Sequence, residues 1–153
     1  GGGAHIHFEE ALKDFPEELF NARAAGVDYT PWQLLEHMRI AQWDILEFSR
    51  DAAHVSPPWP SGYWPDRGQL ANAVAWQASV EAFRADLRAM EALVADEAND
   101  LYAPLPHGEG QTLLREALLL ADHNPYHLGA LVTLRNILKS QVSSLRPGIA
   151  DRF

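Results

Sequence analysis

The chain has no cysteine among its 153 residues. Disulfides, thiolate metal sites and a cysteine nucleophile are therefore excluded. The same lack fits a cytoplasmic protein. Long apolar runs are missing too: none approaches the roughly 20 residues that a bilayer span requires. No basic start followed by an apolar centre marks a signal peptide, and the opening on Gly1 without a methionine reads as a processed or trimmed start. Positive charge is scarce. Twelve Lys and Arg are scattered among twenty-one Asp and Glu, for a formal net charge of −9. Nucleic-acid binders need a basic footprint to displace counterions. The expectation is a chain with neither a nucleic-acid nor a membrane partner.

What is present describes one globular unit. Apolar residues make up 47% of the chain, too many for disorder, and the length suits a single domain over residues 1–153. No segment alternates with the period of a strand. Four segments instead repeat apolar residues at helical spacing. The first, Ile6–Ala25, carries Phe8, Leu12, Phe15 and Leu19, with Pro16 expected to kink or restart it and Gly26 to stop it. The second begins with Thr30, Pro31 and Gln33, a capping box with proline at the first helical position. It carries the stripe Leu34, Met38, Ala41, Ile45 and Phe48 and ends near Asp51. The third is read over Gln69–Glu97, with Trp76, Val80, Phe83, Leu87, Met90 and Val94 facing inward. The fourth is read over Gln111–Ser140, and the tail after Pro147 is expected to fray. Between the second and third lies SPPWPSGYWP, Ser56–Pro65. Its prolines forbid regular structure, and its aromatics predict an ordered loop pinned to the bundle. The fold class is all-α, a four-helix bundle.

The residues that carry chemistry are histidines. His123 and His127 are one helical turn apart, and Leu120, Leu131, Leu134 and Leu138 fall on the same side. The pair therefore faces the core, where two unpaired imidazoles would each cost roughly 1–3 kcal/mol. A shared metal ion would satisfy both. His37 sits at the edge of the second helix's apolar stripe, where it can face that pair; taken alone it reads as a core-rim histidine bonded to a carbonyl. Three histidines with open positions make a catalytic type of metal site.

Other groups carry less. Glu116, seven residues before His123, is a candidate base behind the ligands or a solvated rim carboxylate. Asp44, seven after His37, has the same two readings. His5 and His7 read as surface residues. His54 and His107 lie in or beside loops and read as exposed. There is no Gly-x-Ser-x-Gly elbow, no phosphate-cradling glycine loop and no His-Glu-x-x-His. The Glu-x-x-His of di-iron bundles is absent as well, since Leu120 and Asn124 stand three before the paired histidines.

Three stretches resemble the DinB/YfiT-like superfamily: TPWQLLEHMRIAQWDILEF from Thr30, HNPYHLGALVTLRNIL from His123, and the loop HVSPPWPSGYWP. The resemblance runs from the first helix to about Leu138. It implies helices in up-down-down-up order, frequent homodimers, and one divalent metal on His37, His123 and His127. Nickel or zinc is the first expectation for that ion, with iron or manganese as alternatives. Characterised relatives are transferases and isomerases that use a low-molecular-weight thiol, and others are described as metal-dependent hydrolases. The implied function is a thiol-dependent transferase or a hydrolase acting on a small-molecule substrate. A non-catalytic metal-binding or stress-related dimer is the alternative. Pro125 departs from the expected helix former between the paired histidines. It removes one backbone hydrogen bond, and the helix is expected either to kink there or to restart with Asn124 as cap, which would swing His123 away from His127. Trp59 and Trp64 are expected to wall the pocket.

Overall fold

A computed structural model describes residues 4–144. Four α-helices are present among them: α1 (Phe8–Leu12), α2 (Pro31–Arg50), α3 (Ala73–Ala95) and α4 (Leu113–Ser144). Two single 3-10 turns, Glu17–Leu19 and Ser61–Tyr63, interrupt the loops. There is no strand among the described residues, only one isolated bridge between Pro104 and Thr112. No helix among them is long and apolar enough to cross a membrane. Gly1–Gly3 and the tail expected to fray lie outside the described residues.

Helix α2 is the centre of the molecule. Its start is the capping box read from the sequence: Thr30 Oγ1 accepts from the Gln33 amide at 3.1 Å, and Gln33 Oε1 accepts from the Thr30 amide at 3.0 Å. Such a cap is worth about 1 kcal/mol. Beyond it, Leu34, Leu35, Met38 and Leu46 are wholly buried, because α2 packs on both α3 and α4. Gln42 is buried with them and joins all three helices. Its Nε2 donates to the Phe83 carbonyl at 2.6 Å, and its Oε1 accepts from Asn124 Nδ2 at 2.8 Å. The inward faces expected of α3 and α4 are observed, with Trp76, Val80, Phe83, Leu131, Leu134 and Leu138 in the core.

The long first helix is not formed. Only Phe8–Leu12 is α-helical, and Asp14 turns into the left-handed region at φ 50°. Proline at 16 disfavours helical backbone at Phe15 and offers no N–H of its own. The Arg135 guanidinium fills the gap, donating to the carbonyls of Ala11, Lys13 and Asp14 at 2.9–3.0 Å. The apolar residues still reach the core: Phe15 and Phe20 pack on Trp76, with the Phe20 and Trp76 rings stacked at 4.0 Å. Gly26, at φ 78°, serves a turn and does not end a helix. Helix α3 starts later than Gln69, where Asn72 accepts from the Ala75 amide and caps it. Helix α4 starts at Leu113, where Thr112 Oγ1 accepts from the Arg115 amide.

Candidate metal centre

Helix α4 runs unbroken through Pro125, so the restart expected of that residue does not occur. His123 and His127 stay on one face, opposite His37 of α2. The Nε2 atoms of His37 and His127 are 3.2 Å apart, and those of His37 and His123 are 3.3 Å apart. All three histidines offer ligand atoms within 4.8 Å of one another, so one ion could be held by the set. Three nitrogens at zinc-like bond lengths of about 2.05 Å and tetrahedral angles would stand about 3.3 Å apart.

The protons agree with this spacing. His37 Nδ1 lies 2.9 Å from the carbonyl of Tyr63. A carbonyl only accepts, so Nδ1 carries the hydrogen and Nε2 presents a bare lone pair to the other two rings. One lone pair cannot accept well from two neighbours at once. His123 Nδ1 is meanwhile buried without a hydrogen-bond partner. A cation shared by the three Nε2 atoms would remove the competition for the His37 lone pair.

Burial and mutual repulsion keep the rings neutral. Burial lowers the pKa of His37 despite its bond to Tyr63. His123 is lowered by burial and then by the nearby His37. His127 is pushed down to about 4, again by burial first and by the two other imidazoles second. Neutral imidazole is the form that binds metal.

The Ser56–Pro65 loop builds one wall. Trp64 lies flat on the His37 ring, with centroids 4.1 Å apart and planes 5° apart. Tyr63 bridges two points of α2: its carbonyl holds His37, while its hydroxyl donates to Asp44 Oδ2 at 2.6 Å. Burial, and then the bond to Asp44, raises the Tyr63 hydroxyl pKa to about 12, so it remains a donor. Asp44 also accepts from His54 Nε2 at 2.7 Å. Both side chains are about nine-tenths buried, so His54 is not the exposed residue expected, and of the two readings of Asp44 the solvated rim carboxylate is excluded. His107 is likewise engaged, bonding the Phe48 carbonyl at 2.7 Å, while His5 and His7 are exposed as read. Trp59 does not wall the site: it is 76% exposed and stands edge-on to Tyr63.

Glu116 is neither solvated nor part of the cluster. It is 3% exposed and bonded to Arg115. Seven helical residues place it about 10 Å along α4 from His123. Two cavities lie beside residues that touch the histidines, and no histidine lines either of them. One of about 780 Å³ is bordered by Trp64 together with Arg23, Arg67, Gln33 and Ser61. The other, of about 350 Å³, is bordered by Tyr126, which packs edge-on to His127 at 4.9 Å. Tyr29 borders both.

The sequence signal missed here is the partnership of Tyr63 with Asp44 and His37. No spacing rule links a loop carbonyl to a ring 26 residues away.

A family model described as the DinB superfamily matches residues 7–131, a span that includes all three histidines. No curated protein and no solved structure matches the chain.

Proposed function

This chain belongs to the DinB superfamily, and from that membership and its three converging imidazoles we propose that it is a metal-dependent enzyme acting on a small-molecule substrate. His37, His123 and His127 are the proposed ligands of one divalent ion, with nickel or zinc favoured over iron or manganese for a nitrogen-only set without thiolates. A low-molecular-weight thiol is the proposed cosubstrate of a transferase, and water takes its place in a hydrolase. When bound, the ion would lower the pKa of the thiol or water held in its open position and polarise the electrophile.

The observation that carries this reading is the 3.2–3.3 Å spacing of the Nε2 atoms. The chain's own groups then have definite roles. The Tyr63 carbonyl orients His37, and Trp64 covers one face of that ring and keeps water from it. The reading includes a cytoplasmic protein, a homodimer, and helices in the up-down-down-up order of the family.

A second reading, metal binding without catalysis, draws support from one observation. No carboxylate joins the three histidines among the described residues, so no protein base stands at the ion. Metal analysis by mass spectrometry of wild type and His127→Ala, followed by thiol-transfer and hydrolysis assays on loaded protein, tests both. About one ion per chain in wild type, lost in the variant, with turnover, supports the enzyme. The same metal result with a coordination shell closed to added thiol supports the non-catalytic role. Absence of metal after incubation with nickel or zinc overturns both.

A further inference from the structure

Helices α3 and α4 scarcely touch, since each leans on α2. The seam between them holds a cavity of about 500 Å³, a size typical of small-molecule sites. Met38, Phe83 and Leu128 form its buried floor, and residues 5–8 close one end, with Phe8 stacked on Phe83 at 4.1 Å. None of the three histidines lines it.

The wall is mostly apolar, with the imidazoles of His5 and His7 at the closed end and a set of acceptors along the seam. Ala121 and Pro125 both border the cavity. Proline has no N–H, so the Ala121 carbonyl loses its helical donor on that face. Asn124 borders the cavity as well, and its Oδ1 is buried without a partner. The orientation of that amide is fixed by a relay. The Phe83 carbonyl takes the Gln42 Nε2 hydrogen, which turns Gln42 Oε1 toward Asn124 Nδ2 and leaves Asn124 Oδ1 free. On the α3 side stands the Glu91 carboxylate. One orphan side-chain acceptor, a carbonyl facing a proline that cannot donate to it, and an anion in an apolar cleft favour a donor, and the charge favours a cationic one.

We propose that the α3–α4 seam is a second binding site, separate from the histidine centre, for a small apolar molecule ending in a protonated amine. The apolar body fills the space over Phe83 and Leu128, and the ammonium group donates to the acceptors at the wall. Pro125 thereby has a role: it strips a hydrogen bond from α4 where a ligand can replace it.

Calorimetric titration with three probes of matched apolar body tests this: 4-phenylbutylamine, 4-phenylbutanol and 4-phenylbutyrate. Each is run on protein stripped with a chelator and on nickel-loaded protein. The amine is expected to bind once per chain, more tightly than the alcohol and at least about tenfold more tightly than the carboxylate, equally in both preparations. Glu91→Gln is expected to bring the amine down to the alcohol's affinity. Ala121 is exposed, so Ala121→Trp can fill the seam without disturbing the core, and it is expected to weaken the amine at least about tenfold with metal content unchanged. Pro125→Ala returns an N–H to the Ala121 carbonyl and is expected to weaken the amine about threefold. Equal binding of all three probes, or wild-type affinity in Ala121→Trp, overturns the proposal. Binding confined to nickel-loaded protein overturns it by assigning the probe to the histidine centre. Dissociation of a dimer by Ala121→Trp in sedimentation overturns it by assigning the seam to a second copy of the chain.

Discussion

His37 gives its Nδ1 hydrogen to the Tyr63 carbonyl across 2.9 Å, and that one bond decides which ring nitrogen faces His123 and His127. The carbonyl is itself held, because the hydroxyl of the same tyrosine is anchored to Asp44, two turns further along α2. Tyr63 therefore clamps the loop to the helix at both ends of its own residue.

Loosening that clamp should weaken metal binding more than folding. Tyr63→Phe removes the anchor to Asp44 and leaves the carbonyl in place but free to drift. Outer partners of metal-bound histidines typically contribute 10–100-fold in affinity. We expect nickel affinity to fall about tenfold in Tyr63→Phe and Asp44→Asn, measured by competition with a chromogenic chelator. Unchanged affinity in both variants would refute the clamp.

The two loop tryptophans should behave oppositely. Trp64 lies on His37, whereas Trp59 is mostly in solvent. Trp59→Ala should stay within about 0.5 kcal/mol of wild type in urea unfolding. Trp64→Ala should cost about 1–3 kcal/mol and reduce metal affinity as well. Similar losses in both would show that the loop acts as a block and that the stack has no special part.

Metal-free protein should lose stability on mild acidification. The folded pKa of His127 is about 4, against an ordinary 6.5. Between these values the unfolded chain binds the extra proton and the folded chain does not, so stability falls as pH drops. The cost is absent above pH 6.5, grows below it and is complete below about pH 4. His37 and His123, also lowered, add in the same direction. The melting temperature of metal-free wild type should therefore decline from pH 7 to 5, and His127→Gln should flatten the slope. An identical slope in the variant would contradict the assignment.

Gln42 should be a stability residue. Replacing it with Leu leaves Asn124 Nδ2 without its partner in the interior. We expect a cost of about 1–3 kcal/mol, read as a lower urea midpoint with unchanged slope.

Much of this was legible in the sequence where the information is local. The capping box of α2 needs only Thr30, Pro31 and Gln33, and the one-turn spacing of His123 and His127 needs only the helical period. The first segment misled because Phe8, Leu12, Phe15 and Leu19 keep a helical spacing that the backbone does not follow. The core captures those side chains whether or not Asp14 and Pro16 break the helix. Of the two outcomes read for Pro125, a kink or a restart, the restart does not occur. Its lost hydrogen bond does not break α4, because Leu120, Leu128 and Leu131 hold the helix against α2 and the core on both sides. The burial of Glu116, His54 and Asp44 depends on groups brought from elsewhere in the fold, and no pattern along the chain records that.

The flat contact between Trp64 and His37 also has an optical side. An indole 4.1 Å from an imidazole is an emitter placed next to whatever that imidazole holds. A paramagnetic ion such as nickel or copper seated there would darken it, while zinc, with its filled shell, would leave it bright. The chain has five tryptophans, so the contribution of this one is read as the difference in emission between wild type and Trp64→Phe.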